Sequence, residues 1–251
     1  MLKIGRYSGV SQALLYCISG KLPMQMLFRT LFCSVFLAIL SFSAYAQEKP
    51  AGFPPRDDGA SDPTWPRFRD RLLTAIQARD RKFVLGVVDP NVRNGPERPR
   101  GLDEFIRQWQ PDANDGPLWR ELQKALHLGA VYYRNEYMPR SLCAPYVLPR
   151  WPQDVDPYGN GAITARTTSV RSAPSGDAKI VADLGYSIVA VADWEVADNA
   201  PDVDQKWVKI RVQGHEGYIP EEHIRSPVEY MACFRKHETG WRLTSFLAAG
   251  E

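Results

Sequence analysis

From residue 65 onward the apolar positions first recur at helical spacing. Phe68, Leu72, Leu73 and Ile76 fall on one helix face, and Arg67, Arg69, Asp70 and Arg71 fall largely on the other. The same spacing predicts a short second helix over residues 81–88, stopped by Asp89 and Pro90. A third is predicted over 101–109, with Leu102, Phe105, Ile106 and Trp109 on its apolar side and Pro111 beyond it. Leu118, Leu122, Ala125 and Leu126 mark a fourth, which finishes at Gly129. The period then shortens to that of strands, at 130–133 and 143–148. A break rich in Pro, Asp and Gly follows over 151–161 and reads as a domain boundary. Beyond it lie short β-type runs at 169–171, 180–184, 188–194, 207–212 and 217–220, a density that predicts a small barrel or sandwich. The tail alternates Val228, Tyr230, Ala232 and Phe234 against Glu229, Met231, Cys233 and Arg235. It turns at Glu238 to Gly240 and runs back from Trp241, which is a β-hairpin. Its strands need partners, and those near 130–148 are the expected ones.

The predicted fold class is therefore α+β. A helical N-terminal domain with a few strands (65–155) is completed by the C-terminal hairpin (227–251), with a small β-barrel (160–226) inserted between them. Residues 47–64 contain four prolines and little that can be buried, and read as a disordered linker. No internal repeat or low-complexity tract is visible in residues 47–251.

The N-terminus changes the picture of where the protein works. Arg29 precedes an apolar run over 31–42 that ends in Ala44-Tyr45-Ala46, with small residues where a signal peptidase reads them. The run is shorter than the ~20 apolar residues of a membrane span and is closed by a polar, Pro-rich stretch. Residues 1–46 are thus expected to be a signal peptide, with Met24 or Met26 the better start. The expected cleavage falls between Ala46 and Gln47, the protein is periplasmic or secreted, and no membrane anchor remains. Cys33 follows Leu31 and Phe32 in mid-run, which does not suit lipidation. The segment holds Lys3, Arg6, Lys21 and Arg29 and no acid. Its loss takes the chain from 31 basic and 29 acidic residues to 27 and 29, a change from +2 to −2. Such a balance, without a basic block, gives no electrostatic case for nucleic acid.

Only Cys143 and Cys233 remain after cleavage, an even count in a compartment where disulfides persist. Their pairing is expected, and it would tie the tail hairpin to the strand near Cys143.

Ser169, Val170, Arg171 and Pro174 match the opening N-V-R-x-x-P of the bacterial SH3 family. Trp207, Ile210, Gly214, Gly217, Tyr218 and Ile219 match its closing W-x-x-V-x-x-x-G-x-x-G-Y-V, with residues 177–184 and 188–194 as the strands between. Residues 166–225 accordingly resemble a bacterial SH3 domain, although Ser169 stands where Asn is usual and the loop over 195–206 is longer and more acidic. The resemblance implies an SH3-like barrel and a binding role. The expected partner is a peptidoglycan stem peptide or another envelope protein. Tyr186, Trp194 and Tyr218 are the expected floor of a ligand groove, walled by the acidic loop. That acidity suits a ligand bearing free amino groups. Trp207 reads instead as barrel core.

Catalytic and metal chemistry find little support in the residues. His127, His215, His223 and His237 have neither H-x-x-x-H spacing nor a cysteine at finger spacing, so no metal site is expected. Asp154, Asp156 and Gly159 imitate the start of a calcium loop, but its twelfth position is Ala165. Cys143 lies in no peptidase context, and no G-x-S-x-G, P-loop or dinucleotide glycine pattern occurs. Asp103 and Glu104 sit in a first helical turn, where the helix dipole accounts for them. No cofactor is expected. The reading is an exported, non-catalytic envelope protein; an accessory cell-wall enzyme with a targeting module, and a purely structural barrel, are the alternatives.

Overall fold

The computed structural model describes residues 52–95, 97–136, 138–212 and 214–248. The expected signal peptide, its cleavage point and residues 47–51 lie outside them.

Among the described residues four α-helices follow the predicted periodicities: α1 (Thr64–Gln77), α2 (Arg81–Val87), α3 (Leu102–Trp109) and α4 (Pro117–Leu126). Trp65, Leu72, Ala75 and Ile76 are the buried positions of α1. Asp80 caps α2 by accepting a hydrogen bond from the Phe83 amide at 2.9 Å. Gln110, in the left-handed region at φ 44°, ends α3 before Pro111. Pro117 opens α4, where its missing N–H costs nothing.

The described residues also form twelve strands: β1 (Val88–Arg93), β2 (Val131–Asn135), β3 (Met138–Ala144), β4 (Asn160–Ile163), β5 (Thr168–Arg171), β6 (Ile180–Leu184), β7 (Ile188–Ala197), β8 (Lys206–Val212), β9 (His215–Pro220), β10 (Ile224–Arg225), β11 (Tyr230–His237) and β12 (Gly240–Ala248). They form a five-stranded sheet in the order β1-β12-β11-β3-β2 and a seven-stranded sheet in the order β10-β4-β7-β8-β9-β5-β6. The partner that the tail hairpin required is β3, with Cys233 opposite Cys143. The sequence did not suggest β1, which runs parallel to β12 at the sheet edge. An edge is where Pro90, lacking an amide hydrogen, can sit in a strand.

The expected small barrel is corrected: the second sheet is open and larger. A closed barrel needs β6 to find a second partner beside β5. The edge of β7 not paired with β8 is instead taken by β4, which in turn carries β10. Strand β4 comes from the end of the stretch that read as a domain boundary. Among the described residues β6 remains an edge, with Ile180 and Val181 exposed.

The helices cover one face of the first sheet. Trp65 meets Phe234 and Trp241 edge-on at 5.1 and 5.0 Å, and Trp109 stacks on Phe246 at 4.1 Å. Ile163, Val170, Val208, Ile210, Ile219 and Ile224 make the core of the second sheet. A third cluster, with Val131 from β2, Ala162 from β4, Phe53, Tyr146 and Val147, draws on both sheets. The described residues accordingly fall in one unit. Phe53 also corrects the disordered linker, whose Pro-rich composition concealed long-range anchors. This buried ring lies 5.4 Å from Tyr146 and 5.9 Å from Trp151. The Tyr146 hydroxyl donates to the Phe53 carbonyl at 3.2 Å, and Arg150 donates to the Pro54 carbonyl at 2.7 Å.

Candidate functional site

The three aromatics expected to floor a groove do not line one surface. Trp194 packs on the core of the second sheet, its ring lying over Gly161, where a Cβ would come within 3.1 Å of it. Tyr218 is paired with Lys209. The strand neighbours of Lys209, Val208 and Ile210, point into that core, so Tyr218 and Lys209 face the other way. Tyr186 sits at φ 32° in the turn between β6 and β7. Its amide donates to the Ala165 carbonyl at 3.1 Å, and its carbonyl accepts from the Phe53 amide. Trp207 is buried, as expected of core.

Nor does the acidic loop wall a groove over these rings. It extends the β7–β8 hairpin, with Val196 opposite Trp207 and Ala197 opposite Lys206. Asp198 is occupied within it, accepting from the Trp207 indole N–H and the Ala200 amide, both at 2.8 Å. Its far end, Asp204 with Gln205, reaches a concave surface.

That surface is a groove of about 410 Å³ where the end of α4, the start of β8 and the 221–229 segment meet. Its carboxylates are Asp204, Glu221, Glu222 and Glu229, and its cations are Lys124, Lys206 and Arg225. Pro220 ends β9 and starts the 3-10 turn Glu221–His223, which presents the two glutamates. His223 holds the turn down: its Nδ1 lies 2.8 Å from the Thr168 hydroxyl, and its carbonyl accepts from the Thr164 amide at 2.9 Å. Arg225 is buried and faces Glu229 at 3.0 Å, while Glu229 also accepts from the Ser226 amide at 2.8 Å. One end of the groove is thereby fixed. Burial is the main cause that raises the Glu221 carboxyl above its ordinary value; Lys124 draws it down, Glu195 and Glu229 push it up, and Lys206 draws it down.

The groove thus offers carboxylates beside the C-terminal end of α4, whose His127 and Leu128 line it. A helix C-terminus carries partial negative charge and favours a cation. Among the described residues no group of three His, Cys, Asp or Glu side chains is placed to hold a metal ion. An ammonium, which needs only hydrogen-bond acceptors, suits this lining. Sequence reasoning found Asp204 through its acidic loop but missed Glu221 and Glu222; the adjacent acids after Pro220 were the available signal.

No protein-family model, curated protein or solved structure matches the chain.

Proposed function

We propose that the protein is an exported, non-catalytic envelope protein that uses the groove between α4 and the second sheet to bind a peptide carrying free amino groups, such as the stem peptide of the cell wall. The observation that carries this reading is the placing of Asp204, Glu221 and Glu222 around one concavity at a helix C-terminus. The bacterial SH3 resemblance of residues 166–225 supports a binding role for the strand-rich half, and the leader motif supports work outside the cytoplasm. Arg225 and Glu229, already paired, serve to hold the groove's shape.

Co-sedimentation with purified peptidoglycan tests the reading. The protein is expected to sediment with native peptidoglycan, less so as salt rises, and not with peptidoglycan whose amino groups have been acetylated. Equal sedimentation with both forms would oppose it.

A further inference from the structure

A second concavity, of about 420 Å³, lies where α1, α2 and the turn of the β11–β12 hairpin meet. Phe68 from α1, Phe83 from α2 and Trp241 from β12 supply its apolar wall. The wall is braced from behind. The Trp241 indole N–H donates to the Thr64 hydroxyl at 3.0 Å, and Phe68 meets Phe234 edge-on at 5.7 Å. Phe68 and Phe83 are only partly buried, so ring surface is left to the hollow.

The rest of the wall is basic, and none of the described lining residues is acidic. Two of its cations are committed to the protein. Lys236 pairs with Asp62 at 2.8 Å, and Arg242 donates to the Gly86 carbonyl and, at 3.5 Å, to the Thr239 hydroxyl. Arg67 and Arg71 are placed differently. They stand four residues apart on one face of α1, where like charges repel, and among the described residues neither pairs with a carboxylate. Arg71 lays its guanidinium on the Phe83 ring, with Cζ 5.2 Å from the centroid. Such stacking uses the face of the group and leaves its in-plane N–H donors to a ligand.

We propose that this hollow binds an organic acid, with its carboxylate on Arg67 and Arg71 and its apolar body against Phe68 and Phe83. A guanidinium fork donates to both oxygens of a carboxylate at once, and an anion between the two arginines reverses their repulsion. An inorganic anion would answer the charges and leave the rings in water; a neutral apolar molecule would do the reverse. The volume is that of a small-ligand site. The same chemistry is offered by a free acid and by the carboxyl-terminal apolar residue of a peptide. The hollow is separate from the acidic groove and does not depend on the function proposed for it.

Titration calorimetry of the full chain with 3-phenylpropionate, at low salt, tests the proposal. Saturable binding is expected, with none for the uncharged 3-phenylpropanamide. It should weaken roughly tenfold in Arg67→Gln and in Arg71→Gln, as the loss of a charge-assisted contact requires. Both side chains are exposed, so the fold tolerates the changes, and an unaltered melting curve checks this; Arg67→Gln, which leaves the Phe83 contact intact, decides if Arg71→Gln melts early. Displacement of 3-phenylpropionate by a peptide ending in phenylalanine, but not by its carboxyl-terminal amide, would support the site with a peptide end as its ligand. Binding of 3-phenylpropionate without displacement by either peptide would support it with a free acid. Absence of saturable binding, equal affinity for acid and amide, or binding undiminished in both variants overturns the proposal.

Discussion

Cys143 and Cys233 stand opposite each other on adjacent antiparallel strands, β3 and β11, with their Cα atoms 4.0 Å apart and a disulfide between them. Both are fully buried beside Met138 and Met231. The bond joins parts of the chain separated by 90 residues, and the whole second sheet is threaded between them.

Its removal is the first prediction. Closing a loop of that length contributes about 4 to 5 kcal/mol in the chain-entropy model. The double change Cys143→Ala with Cys233→Ala should therefore lower stability by up to that amount in urea unfolding, while β11 stays paired with β3. A loss below about 1 kcal/mol would show that the hairpin's packing alone fixes the domain.

Trp194 and Gly161 give a second prediction. A Cβ at position 161 would come 2.8 Å from Ile224 Cδ1 and 3.1 Å from the Trp194 ring. Gly161→Ala should cost about 1 to 3 kcal/mol through overpacking. Trp194→Ala should weaken the second sheet as well, by about 2 kcal/mol, less than a fully buried tryptophan because its ring is half-buried. Thermal melts read both. Trp194→Ala should leave peptide affinity unchanged, since the ring does not line the acidic groove.

The contrast between Trp194 and the tail shows what was legible in the sequence. Helical spacing marked α1, α3 and α4 because their apolar residues face a single core. The tail alternation marked β11 and β12, and the need of those strands for partners led to β3. Strand β4 was hidden: Asn160 to Ile163 owe their strand to the flanks of β7 and β10, not to a local pattern. That same pairing opens the sheet that the SH3 resemblance implied would close. Phe53 was hidden for a related reason, since its partners Tyr146 and Trp151 lie more than 90 residues away. The candidate site was legible only at Asp204, because α4, β8 and the 221–229 segment meet through the tertiary fold alone.

Tyr146 supplies a pH prediction. Burial pushes its hydroxyl up to about 12, with Arg150 drawing it down and Tyr186 pushing it up. The buried neutral form is favoured, so the contribution of the group is complete below the ordinary tyrosine value near 10. It is lost as pH climbs through about 12, amounting to about 2 to 3 kcal/mol. Stability measured from pH 8 to 12 should fall over the upper part of that range, and Tyr146→Phe should flatten the fall. An equal fall in the variant would assign the alkaline loss to other groups.

The role of the acidic groove is tested by titrating the protein with a synthetic stem peptide bearing a free amino group, alongside its acetylated twin, followed by NMR. Saturable shifts are expected, confined to the end of α4 and residues 204–206 and 221–229. Affinity should fall roughly tenfold when Glu221→Gln and Glu222→Gln are combined, as expected for two charge-assisted contacts. The acetylated peptide should produce no shifts. Shifts located elsewhere on the protein, or the same affinity for both peptides, would contradict it.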